Sequence, residues 1–248
     1  MTEEQPRTQK TYDPTTFRDK PVSFVRRGGR MTDSQERAWA DDAGQYLLDI
    51  KHGPATASLA EGQTGDPVEL FGRDAPLTVE IGSGQGHAIV HACASHPERN
   101  FLAVEVFQGG LARTILGARE AGVTNLRLAE LNAPELLEKY LPAGSVDEIW
   151  VFFPDPWHKA KHNKRRLISP DFVAIAHRAL APGGTLRLAT DWQEYADQMR
   201  DVLDAAPEFA RAFEGEWAER FDGRVLTAFE QKGINKGRDI RDLTYARV

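Results

Sequence analysis

Residues 77–86 read Leu77-Thr78-Val79-Glu80-Ile81-Gly82-Ser83-Gly84-Gln85-Gly86, a short apolar, β-branched run that breaks into three glycines at alternate positions. Such a run is a strand, and the glycines behind it form a turn tight enough for the backbone to approach a ligand closely. A helix expected from about His87 completes a strand–turn–helix unit. The spacing departs from the dinucleotide fingerprint, in which the third glycine falls three residues after the second. Here it falls two residues after, and a carboxylate, Glu80, stands two residues ahead of the first.

Outward from this unit, strand-like and helix-like segments alternate. Residues 101–106, 126–129, 146–153 and 185–189 read as strands, with helices expected from about Gly109, over 170–181 and behind Ala189. Short apolar strands separated by amphipathic helices predict an α/β fold with a mostly parallel sheet and helices on both faces. Residues 243–248 could add a closing strand. The organisation expected is a flexible tail over 1–22, an N-terminal basic segment over 23–50, a glycine- and proline-containing loop over 51–76, and the main domain over 77–248.

The chain has 248 residues, 41% hydrophobic, enough for one substantial core. No apolar run approaches the roughly 18 residues of a membrane span, and the first residues lack a secretory signal, so a cytoplasmic protein is expected. The single cysteine, Cys93, cannot form a disulfide within the chain and reads as core filling. A formal net charge of -6 argues against non-specific attraction to nucleic acid, yet the positive charge is concentrated. Residues 156–166 carry five Lys or Arg and no acid, and 18–37 carry six against three acids.

Three strand ends carry groups that could hold a nucleoside. Glu80 ends the first, Glu105 the second, where a carboxylate can accept ribose hydroxyls, and Asn132 follows the third, where its oxygen could accept from an adenine amino group. Ordinary strand-end acids, and an asparagine capping the helix that Pro134 begins, are the plainer alternatives. Residues 152–166 end the fourth strand: Phe152-Phe-Pro-Asp-Pro-Trp-His-Lys-Ala-Lys-His-Asn-Lys-Arg-Arg166. Asp155 between two prolines is either a turn residue or a carboxylate held at the cleft. The cationic run behind it, beside a strand end, suggests a phosphate-rich partner rather than a small metabolite, although such runs are commonly solvated faces. Arg26, Arg27, Arg30 and Arg37 could form a second phosphate-contacting arm. Asp191 has a structural alternative, because Thr190 and Gln193 match a capping box. Trp150, Phe152 and Phe153 read as core, while Trp157 and Trp192, just past strand ends, could pack or stack on a base. Neither His87/His91 nor His158/His162 suits a metal: the first pair lacks the glutamate of the zinc-protease pattern, and Lys159 and Lys161 interleave the second.

Together, residues 23–30 (Ser-Phe-Val-Arg-Arg-Gly-Gly-Arg), 80–86, 152–159 (Phe-Phe-Pro-Asp-Pro-Trp-His-Lys), 162–166, 189–192 (Ala-Thr-Asp-Trp) and 227–230 (Thr-Ala-Phe-Glu) resemble the bacterial tRNA (guanine-N7)-methyltransferases. The resemblance implies a Rossmann-like fold and methyl transfer from S-adenosyl-L-methionine to N7 of guanine 46 in the tRNA variable loop. It assigns Glu80, Gly82, Gly84, Gly86, Glu105, Asn132 and Asp155 to the cofactor, with Asp155 also catalytic. Lys159, Asp191, Thr227, Ala228, Phe229 and Glu230 would contact the substrate, and Lys161, His162, Asn163, Lys164, Arg165 and Arg166 the RNA. Two positions depart from the pattern: Asn132 replaces an acid and Ala228 a lysine. A non-catalytic RNA-binding protein on the same fold is the alternative, and oligomeric state is not encoded in these motifs.

Overall fold

The structure, a computed structural model, describes residues 22–24 and 29–248. The expected tail, except Val22, and Arg26 and Arg27 of the proposed arm therefore lie outside the described residues. In chain order the elements are α1 (Asp33–Tyr46), α2 (Pro67–Phe71), β1 (Leu77–Ile81), α3 (His87–Ser95), β2 (Asn100–Glu105), α4 (Gln108–Ala121), β3 (Leu126–Glu130) and α5 (Ala133–Glu135). There follow β4 (Val146–Phe152), α6 (Pro170–Ala179), β5 (Leu180–Thr190), α7 (Gln193–Asp204), β6 (Phe209–Arg211), α8 (Ala228–Ile234) and β7 (Arg241–Arg247).

The seven strands form one sheet in the order β3-β2-β1-β4-β5-β7-β6. β1 to β5 run parallel, and β7 returns antiparallel against β5. The doubly wound, Rossmann-like expectation is thus met, with the order reversing beside β1. Alternation along β2 divides the core. Leu102 and Val104 join a cluster with Phe172 and Val173 of α6 and Tyr195 and Met199 of α7. Phe101 and Ala103 face the other way, into a cluster with Ile89 of α3 and Leu111 and Ile115 of α4. All five β1 residues are buried, as a central parallel strand covered on both faces requires. Cys93 lies in the second cluster, 1% exposed.

Several boundaries differ from expectation for local reasons. The helix expected over 170–181 begins on a Ser169 cap with Pro170 at its first position, but ends at Ala179. Pro182 disfavours helical geometry at Ala181, so the chain extends into β5 from Leu180. The loop expected over 51–76 contains α2, capped by the Asp66 carboxylate, which accepts from the Val68 and Glu69 amides. The basic segment over 23–50 contains α1, closed by a capping box between Thr32 and Gln35. α1 packs on α4 and its exit pairs with the sheet edge, where the Leu48 amide donates to the Leu128 carbonyl over 2.9 Å. No described helix is long and apolar enough to cross a membrane.

Candidate active site

Where the strand order reverses, the carboxyl ends of β1, β2 and β4 open into a cavity of about 480 Å³. Open α/β sheets bind ligands at this position, and the volume is within the range of small-molecule sites. Glu80, Gly82, Gly84, Glu105, Asn132 and Asp155 all line it, so four separate sequence segments converge as expected.

The turn after β1 explains the glycines. Gly82, Gly84 and Gly86 have φ of 71°, 57° and 75°, in the left-handed region that other residues rarely adopt. Gly86, which does not line the cavity, has a packing role as well: a Cβ there would stand 2.4 Å from the Thr114 hydroxyl of α4. On the opposite side of the turn, a Cβ at Gly110 would stand 2.3 Å from the Gly84 carbonyl oxygen, so α4 approaches the turn backbone to backbone.

The carboxylates divide the work. Glu105 accepts from the amides of Gly84 (3.0 Å), Val106 (2.7 Å) and Phe107 (3.0 Å), which fixes the turn to the end of β2. Two of those bonds fall on Oε1 and one on Oε2, leaving Oε2 able to accept once more. Burial raises its pKa, against the pull of the three amides, and the Asp155 charge adds to the rise. Glu80 is 5% exposed, and its Oε2 has no hydrogen-bond partner among the described residues. Burial, then the charge of Glu105, pushes its pKa up to about 8. Asn132 donates from Nδ2 to Glu135 (3.3 Å), which leaves Oδ1 as an acceptor. It is the first residue ahead of α5, but its side chain makes no cap bond there.

Asp155 lines the same cavity, on a turn set by Pro154 and Pro156 and flanked by two residues with positive φ, Phe153 (53°) and Trp157 (46°). Non-glycine residues are costly in that region, and such strain concentrates at functional sites. Its carboxylate makes no hydrogen bond or ion pair with the described residues, so it is available to a ligand. Phe153, expected in the core with Trp150 and Phe152, has left the strand and lines the cavity, 5.6 Å from the Phe229 ring. Thr227 and Phe229 line the cavity too, and Thr227 caps α8 by accepting from the Glu230 amide.

Other expected site residues lie elsewhere. Glu230 is 1% exposed, paired with Arg220 (2.9 Å) and Arg224 (2.8 Å), and Arg224 also pairs with Asp242 of β7 (2.7 Å). Through these pairs Glu230 anchors α8 to the sheet. Asp191 is not at a capping box: the Thr190 hydroxyl accepts from the Trp192 amide, and the Gln193 side chain turns to Asp197. Asp191 pairs with Arg238 at 2.7 Å, outside the cavity lining.

The basic run splits in two. Arg166 is 4% exposed and donates to the Pro156 carbonyl, Gln198 and Glu194, so it buttresses the 154–157 turn from within. Arg165 lies 3.6 Å over the Trp157 ring, and Asn163 donates to Glu194. Lys159, Lys161 and Lys164 are exposed, with His162 half-buried between them. Of the tryptophans considered for stacking, Trp157 is covered by Arg165, and the Trp192 ring centroid lies 4.1 Å from that of His158. Ser23 and Phe24, from the 23–30 motif, also line the cavity, as does Arg224, which carries no local sequence signal.

A family model described as "Putative methyltransferase" matches residues 74–243. The tRNA (guanine-N(7)-)-methyltransferase of Paenarthrobacter aurescens strain TC1 is 43% identical over 94% of this chain and 93% of its own length. The protein of the same name from Bifidobacterium longum strain NCC 2705 is 44% identical over 97% and 93%. Among solved structures, the aminoglycoside resistance methyltransferase NpmB1 superposes with a TM-score of 0.50 at 14% identity, covering 78% of this chain and 97% of that one. The 16S rRNA methyltransferase KamB gives 0.50 at 16%, covering 72% and 91%. These two are likenesses of fold alone.

Proposed function

This chain belongs to the tRNA (guanine-N7)-methyltransferase family, and from that premise we propose that it methylates N7 of guanine 46 in the tRNA variable loop, with S-adenosyl-L-methionine as donor. The observation that carries this reading is the pairing of unsatisfied acceptors with an uncommitted carboxylate across one cavity. Glu80 Oε2 is buried without a donor, Glu105 Oε2 can accept once more, and Asn132 offers Oδ1. These suit an ammonium group, a ribose hydroxyl and an adenine amino group in turn. Asn132 keeps the acceptor that its position needs, although the family pattern has an acid there. The residues present therefore fit the cofactor.

When bound, the cofactor supplies an electrophilic methyl on a sulfonium. Guanine N7 presents a lone pair at neutral pH, so no general base is required. Transfer of that methyl to N7 would leave the carbon–sulfur electron pair on a neutral thioether and the positive charge on the purine. The chain's task is to align the reactants and to favour that charge. Asp155, rigid between prolines, provides a fixed anionic group for the cationic ring or its donor edge. Phe153 and Phe229 offer apolar faces beside it, and Lys159, Lys161 and Lys164 can meet RNA phosphates. With Asp191 and Glu230 tied into ion pairs, their proposed contribution to substrate binding is to place α8.

The deciding experiment incubates the purified protein with methyl-labelled S-adenosylmethionine and unmodified tRNA transcript, then digests the RNA to nucleosides. Label in N7-methylguanosine, lost when guanine 46 is replaced, is the expected result. A folded protein that binds transcript but transfers no label would leave the non-catalytic RNA-binding alternative standing.

A further inference from the structure

Three consecutive backbone carbonyls, of Val22, Ser23 and Phe24, accept hydrogen bonds from two side chains more than 130 residues away. Trp157 Nε1 donates to the Ser23 carbonyl (3.0 Å), Arg165 Nε to that of Val22 (3.1 Å) and Arg165 Nη2 to that of Phe24 (3.3 Å). The guanidinium carbon lies 3.6 Å from the centroid of the indole ring, so each donor can brace the other. Ser23 and Phe24 line the same cavity as Glu80, Glu105 and Asp155. Trp157 holds this place at the cost of a φ of 46°.

We propose that Trp157 and Arg165 are positioning residues that latch segment 22–24 across the cavity as one of its walls, so that a bound ligand escapes when the latch opens. The identity of that ligand rests on the function proposed above. Because all three acceptors are main-chain carbonyls, the latch depends on the donors and on the path of the segment. The two nitrogens of Arg165 engaged here are also the fork with which an arginine grips a phosphate. While the latch is closed, Arg165 serves the wall, and the outward lysines are left to the RNA.

The test uses the full chain and S-adenosylhomocysteine as probe. Arg165→Lys keeps the charge but loses the fork, and Trp157→Phe keeps the ring but loses the N–H. Each is expected to raise the probe's off-rate on the order of ten-fold with at most a small fall in thermal midpoint, as loss of one or two partly buried hydrogen bonds implies. Arg165→Lys should also speed chymotryptic cleavage after Phe24. Combined with Phe24→Ala, it should raise the off-rate by less than the product of the single effects, since both act through one wall. Unchanged off-rates and cleavage, or effects that simply multiply, would overturn the latch. Wild-type protein that binds no S-adenosylhomocysteine would instead refute the cofactor assignment, and cleavage after Phe24 would then decide the latch by itself.

Discussion

The Gly84 amide donates to the Glu105 carboxylate over 3.0 Å, joining the glycine turn after β1 to the end of β2. With the Val106 and Phe107 amides on its other oxygen, Glu105 shapes the cavity as much as it offers itself to a ligand. Glu105→Gln keeps the size but turns an amide NH₂ toward at least one backbone N–H. Loss of charge-assisted bonds of about 1.5–3 kcal/mol predicts roughly 10- to 100-fold weaker binding of S-adenosylhomocysteine, measured by titration calorimetry. Equal affinity in the variant would show that the turn does not need its anchor.

Glu80 makes stability depend on pH. Its pKa rises from 4.5 to about 8 on folding, so between those values the folded state keeps a proton that the unfolded chain has released. Stability is therefore fully present below about 4.5 and is lost as pH rises through about 8, with a slope of up to about 1.4 kcal/mol per pH unit. Glu105, also raised, acts in the same sense. The thermal midpoint of the ligand-free protein should fall from about pH 5 to about pH 9, and less so in Glu80→Gln, which mimics the protonated side chain. Parallel declines in the two proteins would rule out Glu80 as the source.

Glu230 tests whether the end of the 227–230 motif is substrate contact or scaffold. Its partner Arg224 is 2% exposed and would keep only Asp242, so the loss should fall at or below the lower end of the roughly 3–5 kcal/mol that breaking a buried ion pair costs. Glu230→Gln should accordingly lower the urea midpoint. A variant of normal stability with a raised KM for tRNA would return Glu230 to the substrate.

Asp155→Asn preserves the turn, since both prolines and the side-chain shape remain, while removing the fixed negative charge. A fall in kcat of about 10²- to 10³-fold with little change in KM for tRNA is expected in single-turnover assays at saturating cofactor. Near-normal turnover would shift the burden to alignment by the glycine turn and the flanking aromatics.

What could be read from the sequence was what is local. Glu80, Gly82, Gly84, Glu105, Asn132 and Asp155 each end or follow a strand at a spacing that the next element enforces, and the structure brings these six to one cavity, while Gly86 packs on α4 beside it. What the sequence did not reveal were partners distant along the chain. Arg166 read as part of a basic face because Glu194 and Gln198, which bury it, come 28 and 32 residues later. Asp191, expected to contact the substrate, pairs with Arg238, 47 residues on. Arg224 carries no periodic pattern, its role being set by acids on α8 and β7.

The division of the basic run bears directly on how RNA affinity should respond to salt. Each phosphate contact contributes about 0.7–0.9 to the slope of log affinity against log salt, because binding releases condensed counterions. Lys159, Lys161 and Lys164 are exposed, whereas Arg166 is committed to three internal acceptors. Replacing the three lysines with alanine should reduce the magnitude of the slope by about two to three in filter binding of tRNA transcript between about 50 and 200 mM salt. Arg166→Met should leave the slope unchanged while loosening the 154–157 turn, and so lower kcat instead. A slope that falls with Arg166 and not with the lysines would place the phosphate track on a different face of the protein.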